Sequence, residues 1–178
     1  SNDRKIIEQI SDLASQLIGV SRIMKLRQTN EQKELQISEK VTLDRILKSQ
    51  KALSNYHIWK MLDSSVSALY EHLLGTESVE KKLGFETGKD RKSFSKGVIN
   101  KLENLSIPDW GFSESFRDSE EVPRWLIDEE EYNIIRLQEI ELYKKIVSLA
   151  EKLSDNRLQS KIECIEKSIS DKKKVLAF

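Results

Sequence analysis

From Tyr132 to Leu153 one series of residues advances in alternating steps of three and four: Tyr132, Ile135, Glu139, Leu142, Ile146, Leu149 and Leu153. That spacing is the seam of a helix packed against other helices, and it leaves no room for a period-two strand. Every member is apolar or aromatic except Glu139. A carboxylate in the middle of a buried stripe loses its solvation unless something pairs with it, so Glu139 reads as a specificity device or as the remnant of a site. It is expected to be buried, with Tyr56, His57, Tyr70, Tyr143 or an arginine as donor, or else protonated because desolvation raises its pKa. On that reading Glu139→Gln or Glu139→Leu is neutral or stabilising.

The same spacing recurs elsewhere. Ile6, Ile10, Leu13, Leu17, Val20 and Met24 predict a first helix over about 3–28. Thr29 and Asn30 supply capping chemistry, and residues 31–74 contain no glycine or proline, which predicts one very long helix or two nearly collinear ones. Ile46, Leu53 and Tyr56 fit one register, whereas Trp59, Leu62, Val66, Leu69 and Leu73 fit another. A phase slip near Ser54-Asn55 follows, as a kink or as a change of packing partner. Gly75 is expected to end the helix in the left-handed position.

Residues 76–126 differ in kind. They hold four of the six glycines, both prolines and half of the aromatic residues, among them Phe85, Phe94, Trp110, Phe112, Phe116 and Trp125. A short helix is predicted over 93–105 and a turn over 107–111. The aromatics are expected either to plug one end of the fold or to form an exposed contact patch. A third long helix is predicted over 128–153, capped by Asp128 with Glu131 reaching back. After a turn at Ser154-Asp155-Asn156, a fourth is carried by Leu158, Ile162, Ile165, Ile169 and Leu176. The fold class expected is therefore all-α, a single domain over 1–178. Two helical hairpins, 1–75 and 127–178, joined by the crossover 76–126, have the plan of a four-helix bundle.

Composition narrows the function classes. Thirty basic side chains balance thirty acidic ones, so no overall field draws nucleic acid, and Lys172, Lys173 and Lys174 also suit a helix C-terminus. No apolar run is long enough to span a bilayer, and no signal peptide is visible. The lone Cys164 excludes an intramolecular disulfide and a cysteine cluster, which favours a reducing, cytoplasmic setting. Ser1-Asn2, with no methionine, has the look of a remnant of tag removal, so a longer natural chain is compatible with the sequence. Gly84-Phe85-Glu86-Thr87-Gly88-Lys89-Asp90 is not a phosphate loop: the glycine spacing is one residue short and Asp90 stands where a hydroxyl is needed. His57 and His72 form no metal signature with their sequence neighbours.

Glu139 with Tyr143 four residues on, followed by Glu166, resembles the C-terminal helix pair of ferritin-like and rubrerythrin-type proteins over residues 128–176. The resemblance implies a four-helix bundle. It also implies a di-iron centre in which an inward glutamate of the third helix joins a Glu-x-x-His of the fourth. Here Glu166-Lys167-Ser168-Ile169 carries isoleucine at the histidine position, so the expectation is a bundle that keeps the scaffold without the metal.

The leading functional expectation is a non-catalytic protein-interaction or homodimerisation module with no cofactor. Its contact candidates are Phe85, Trp110, Phe112, Phe116 and Trp125. Two alternatives stand beside it. One is a ferritin-like metal-carboxylate protein holding iron or manganese, for iron handling or oxidoreduction, with Glu139, Glu166 and ligands from the first hairpin; without the metal, Glu139, Tyr143, Glu166 and His57 are the candidates for buried polar residues or a degenerate site. The other is a small-molecule sensor with a cavity lined by the aromatics and Glu139.

Overall fold

The computed structural model describes residues 2–84 and 95–154, which are mostly helical with one very small sheet. Helix α1 spans Asn2–Ser15 and so ends well before the boundary expected from its stripe. Ser15 Oγ and Gln16 Nε2 both donate to the Asp12 carbonyl, at 2.7 and 3.0 Å, and take up an acceptor released at the helix end. Gly19 then adopts φ +89°, and a 3-10 turn, Val20–Arg22, leads into β1, Lys25–Leu26. Leu17 and Val20 remain buried across the break, but Met24, placed inward by a continuous helix, is half exposed.

The stretch expected as one long or two collinear helices is three. Helix α2, Asn30–Glu34, opens with a capping box: the Thr29 hydroxyl accepts from the Gln32 amide while the Gln32 side chain accepts from the Thr29 amide. It closes where Gln36 takes φ +53°. Ser38 caps α3, Glu39–Ser64, which runs unbroken through Ser54-Asn55. The packing partner changes along the helix, but Leu53 and Tyr56, expected to face inward with Ile46, are exposed. Leu43, Ile46 and Leu47 face one apolar cluster, whereas Ile58, Trp59 and Leu62 face another.

The break lies at Ser65, in extended backbone, whose N–H closes α3 on the Met61 carbonyl while its hydroxyl caps α4, Val66–Leu74. Gly75 has positive φ but an extended ψ of 161°, so it is not the left-handed helical stop expected. The cause is a close backbone crossing, for a Cβ on Gly75 would lie 2.6 Å from the Ser95 carbonyl oxygen. Helix α5, Thr76–Leu83, follows at once, and α6, Val98–Glu103, is shorter than the predicted 93–105.

The expected turn at 107–111 contains β2, Asp109–Trp110, parallel to β1 with Lys25 opposite Asp109 and Leu26 opposite Trp110. Strands of two residues have no period to read. Helix α7, Glu114–Arg117, and a 3-10 turn, Arg124–Leu126, complete the crossover before α8, Glu129–Ala150. Asp128 caps α8 by accepting from the Glu131 amide at 3.0 Å, and Glu129, Glu130 and Glu131 set negative charge at the positive end of the helix dipole.

Two cores result. The larger gathers Ile10, Leu17, Ile58, Leu69, Leu73, Tyr132, Tyr143 and Ile146 where α8 packs on α1, α4 and α6. The smaller gathers Ile23, Leu26, Leu43, Phe112, Phe116, Val122 and Leu126 around the β1–β2 pair. The predicted fourth helix, with Cys164, Glu166 and Ile169, lies outside the described residues, as does Phe85. No described helix is long and apolar enough to cross a membrane.

Candidate functional site: a carboxylate held by main-chain amides

The α8 stripe delivers Glu139 to the junction of α1 and the first 3-10 turn, where it is 1% exposed. Its Oε1 accepts from the amides of Ile18, at 3.1 Å, and Gly19, at 2.8 Å, and its Oε2 accepts from Val20 at 2.8 Å. Three successive amides around a left-handed residue form a concave nest that binds an anion, here supplied by the chain itself. The donors expected from the sequence, tyrosines, histidine or arginine, are not the ones used. Burial pushes the Glu139 carboxyl above the usual carboxylate range, and the three amides pull it part of the way back. The nest also needs glycine: a Cβ on Gly19 would meet the Gln50 carbonyl oxygen of α3 at 2.5 Å.

One turn along α8 lies Tyr143, 2% exposed, whose phenol is pushed far up by burial first and by the Glu139 charge second. Ser54 of α3 and Arg22 of the 3-10 turn lie close enough to act on it. Arg22 in turn contacts His57 Nδ1, and the His57 and His72 rings are 5.7 Å apart between centroids. Both imidazoles are disfavoured as cations. Desolvation, then Arg22 and Lys60, lower His57; desolvation, then His57 and Arg22, bring His72 down to about 4. The break at Ser65 is what folds α4 back to set His72 beside His57.

The crossover aromatics make a separate group. Trp110, Phe112 and Phe116 meet at centroid distances of 5.3, 5.9 and 5.6 Å, and Phe112 and Phe116 are buried in the smaller core. They plug that core. The half-buried Trp110 donates its indole N–H to the Ser113 carbonyl, and Ser113 is itself clamped by the Glu39 carboxylate through its amide at 2.8 Å and hydroxyl at 2.6 Å. Trp125 stacks on Tyr132 at 6.4 Å and joins the two cores.

Glu139, Tyr143 and His57 thus belong to one polar tract through the larger core, and the aromatics to another region. Both Glu139 oxygens are occupied by N–H donors, and among the described residues no group of three or more His, Cys, Asp or Glu side chains could hold a metal. Sequence reading missed Arg22, His72 as a neighbour of His57, and the amides of residues 18–20. The one available signal was Gly19, an isolated glycine inside an otherwise helical pattern. Comparison with family models, with curated proteins and with solved structures gives no match.

Proposed function

We propose that the chain is a non-catalytic helical protein that acts by self-association, and that its contact surface is the outer face of α8 beside α1. The observation that carries this is an apolar strip on a charge-rich chain. Ile134 and Leu137 are 56% and 53% exposed, at the edge of a groove of about 580 Å³ that also takes in Ile18, Ile135 and Leu142. Further along α8 a second groove, against Leu13 of α1, is lined by Glu141, Lys144, Lys145 and Leu149.

The face is self-complementary in charge. A second copy laid antiparallel, with its two-fold axis at the level of Tyr143, sets Glu141 against the partner's Lys145 twice and brings Leu137 to the partner's Leu149. The nest around Glu139 then has a scaffolding role: it locks α8 to the end of α1 so that the two helices present one rigid surface. A four-helix plan within each chain, completed by residues 158–176, remains part of this proposal.

Sedimentation of the full chain across the micromolar range tests the reading. A monomer–dimer equilibrium is expected, shifted to monomer by Leu137→Glu and by Glu141→Lys, and restored in the double variant Glu141→Lys/Lys145→Glu. A wild-type chain that stays monomeric, or a dimer indifferent to all three variants, overturns it.

A further inference from the structure

Where the first 3-10 turn meets α3 and α4, three nitrogen-rich side chains converge with no acid among them. The Arg22 guanidinium contacts His57 Nδ1, the His72 ring lies beside that of His57, and Tyr56 flanks His57 on α3 at 5.7 Å between centroids. None of the ion pairs Arg4–Glu8, Lys40–Asp44, Lys82–Glu151, Arg117–Glu114 and Lys144–Glu141 involves Arg22, whose side chain is engaged by His57. Glu139, the buried acid of α8, is held by the amides of residues 18–20.

The charges that act on the two rings are Arg22 from the turn and Lys60 from α3, both positive. A half-buried cation facing two imidazoles, with Glu139, the acid of the same tract, already held by main-chain amides, is a costly arrangement in a folded protein unless a further anion completes it. We propose that Arg22, His57 and His72 form a binding site for a small oxyanion of the phosphate class.

The donor inventory fits. Arg22 carries five N–H groups in a planar fork suited to two oxygens of one phosphate, and its contact with His57 uses one of them. Because His57 Nδ1 accepts from Arg22, its proton sits on Nε2, which is left to donate, and His72 adds a second imidazole N–H. A bound dianion reverses the local field. Where the empty site resists protonation of both rings, the filled site favours it, so the pKa of each ring should rise on binding.

The test is a titration of the full chain with inorganic phosphate at about pH 6, within the imidazole range, read from the imidazole C2–H resonances, with acetate in parallel. Saturable shifts of both histidines are expected, with phosphate tighter than acetate. Arg22→Gln should weaken binding at least about tenfold while the helical circular dichroism is kept, and Arg22→Lys should fall between the two. Should Arg22→Gln lose its helical signal, His72→Gln takes its place and is expected to weaken phosphate binding in the same way. Shifts that rise linearly without saturating, equal saturation by acetate, or undiminished phosphate binding in whichever of the two variants stays folded would overturn the assignment.

Discussion

Glu139 accepts the amide N–H of Gly19 at 2.8 Å across 120 residues of chain. With the flanking amides of Ile18 and Val20 it ties the last long helix to the point where the first one ends. That single side chain accounts for two departures from a plain helical reading, the early end of α1 and the tolerance of a carboxylate in the core.

Replacing Glu139 by leucine strands three N–H groups, those of Gly19 and Val20 buried and that of Ile18 part-buried. Each such loss costs about 1–3 kcal/mol, so Glu139→Leu is expected to lower the unfolding free energy by on the order of 4 kcal/mol. Glu139→Gln keeps one acceptor oxygen and should cost about half as much. Urea denaturation measures both. A neutral Glu139→Leu, which the stripe alone led one to expect, would mean that the amides find water instead.

Gly19→Ala meets both a left-handed φ and the Gln50 carbonyl at 2.5 Å from the new Cβ. The loss should be at least about 2 kcal/mol. Thermal unfolding checks it, and a variant as stable as the wild type would remove the close approach of α3 to the nest.

His72 gives the stability a pH dependence of known sign. Its folded pKa of about 4 lies below the ordinary imidazole value of 6.5, so the unfolded chain takes up the proton first. Stability contributed by neutral His72 is complete above the unfolded value and is lost as the pH falls from there toward about 4. Glu139, with its carboxyl raised, works in the opposite direction. The measurement is therefore the difference between wild type and His72→Gln in denaturation at a series of pH values. A constant difference across that range would contradict the burial of the ring.

In the smaller core, Phe116→Ala should cost about 3 kcal/mol or more because the ring is buried against Phe112 and Trp110. Trp110→Ala should cost less, since that ring is only half buried. Neither change should alter the sedimentation of the protein. An altered assembly state with unchanged melting would make these aromatics a contact surface instead.

The helical class, α8 with its Asp128 cap and the burial of Glu139 were legible from spacing and capping chemistry, but the stripe only in part: Ile140, Tyr143, Val147 and Ala150 are buried beside Tyr132, Glu139 and Ile146, whereas Ile135, Leu142 and Leu149 are partly exposed. The partner of Glu139 was not, since main-chain amides are offered by every residue and only Gly19 hinted at the bend that gathers three of them. The approach of His57 to His72 was hidden for a different reason. Ser65 breaks a run without glycine or proline, using only a serine that caps one helix while closing another, and a serine in that run is as readily read as a solvated helix position. The two-residue strands left no pattern at all.

Parallel strands cannot be joined by a tight turn, and the β1–β2 pair links segments that lie on either side of α2, α3, α4, α5 and α6. The chain must close that whole loop before Leu26 and Trp110 can pair, a cost in entropy that the contacts of two residues cannot meet by themselves. The smaller core therefore belongs to the late part of folding, after α3 and α8 have found their places. An amide-exchange experiment should find its strands opening more readily than the middle of α8, so that the region around Phe116 loosens as a unit while the larger core holds.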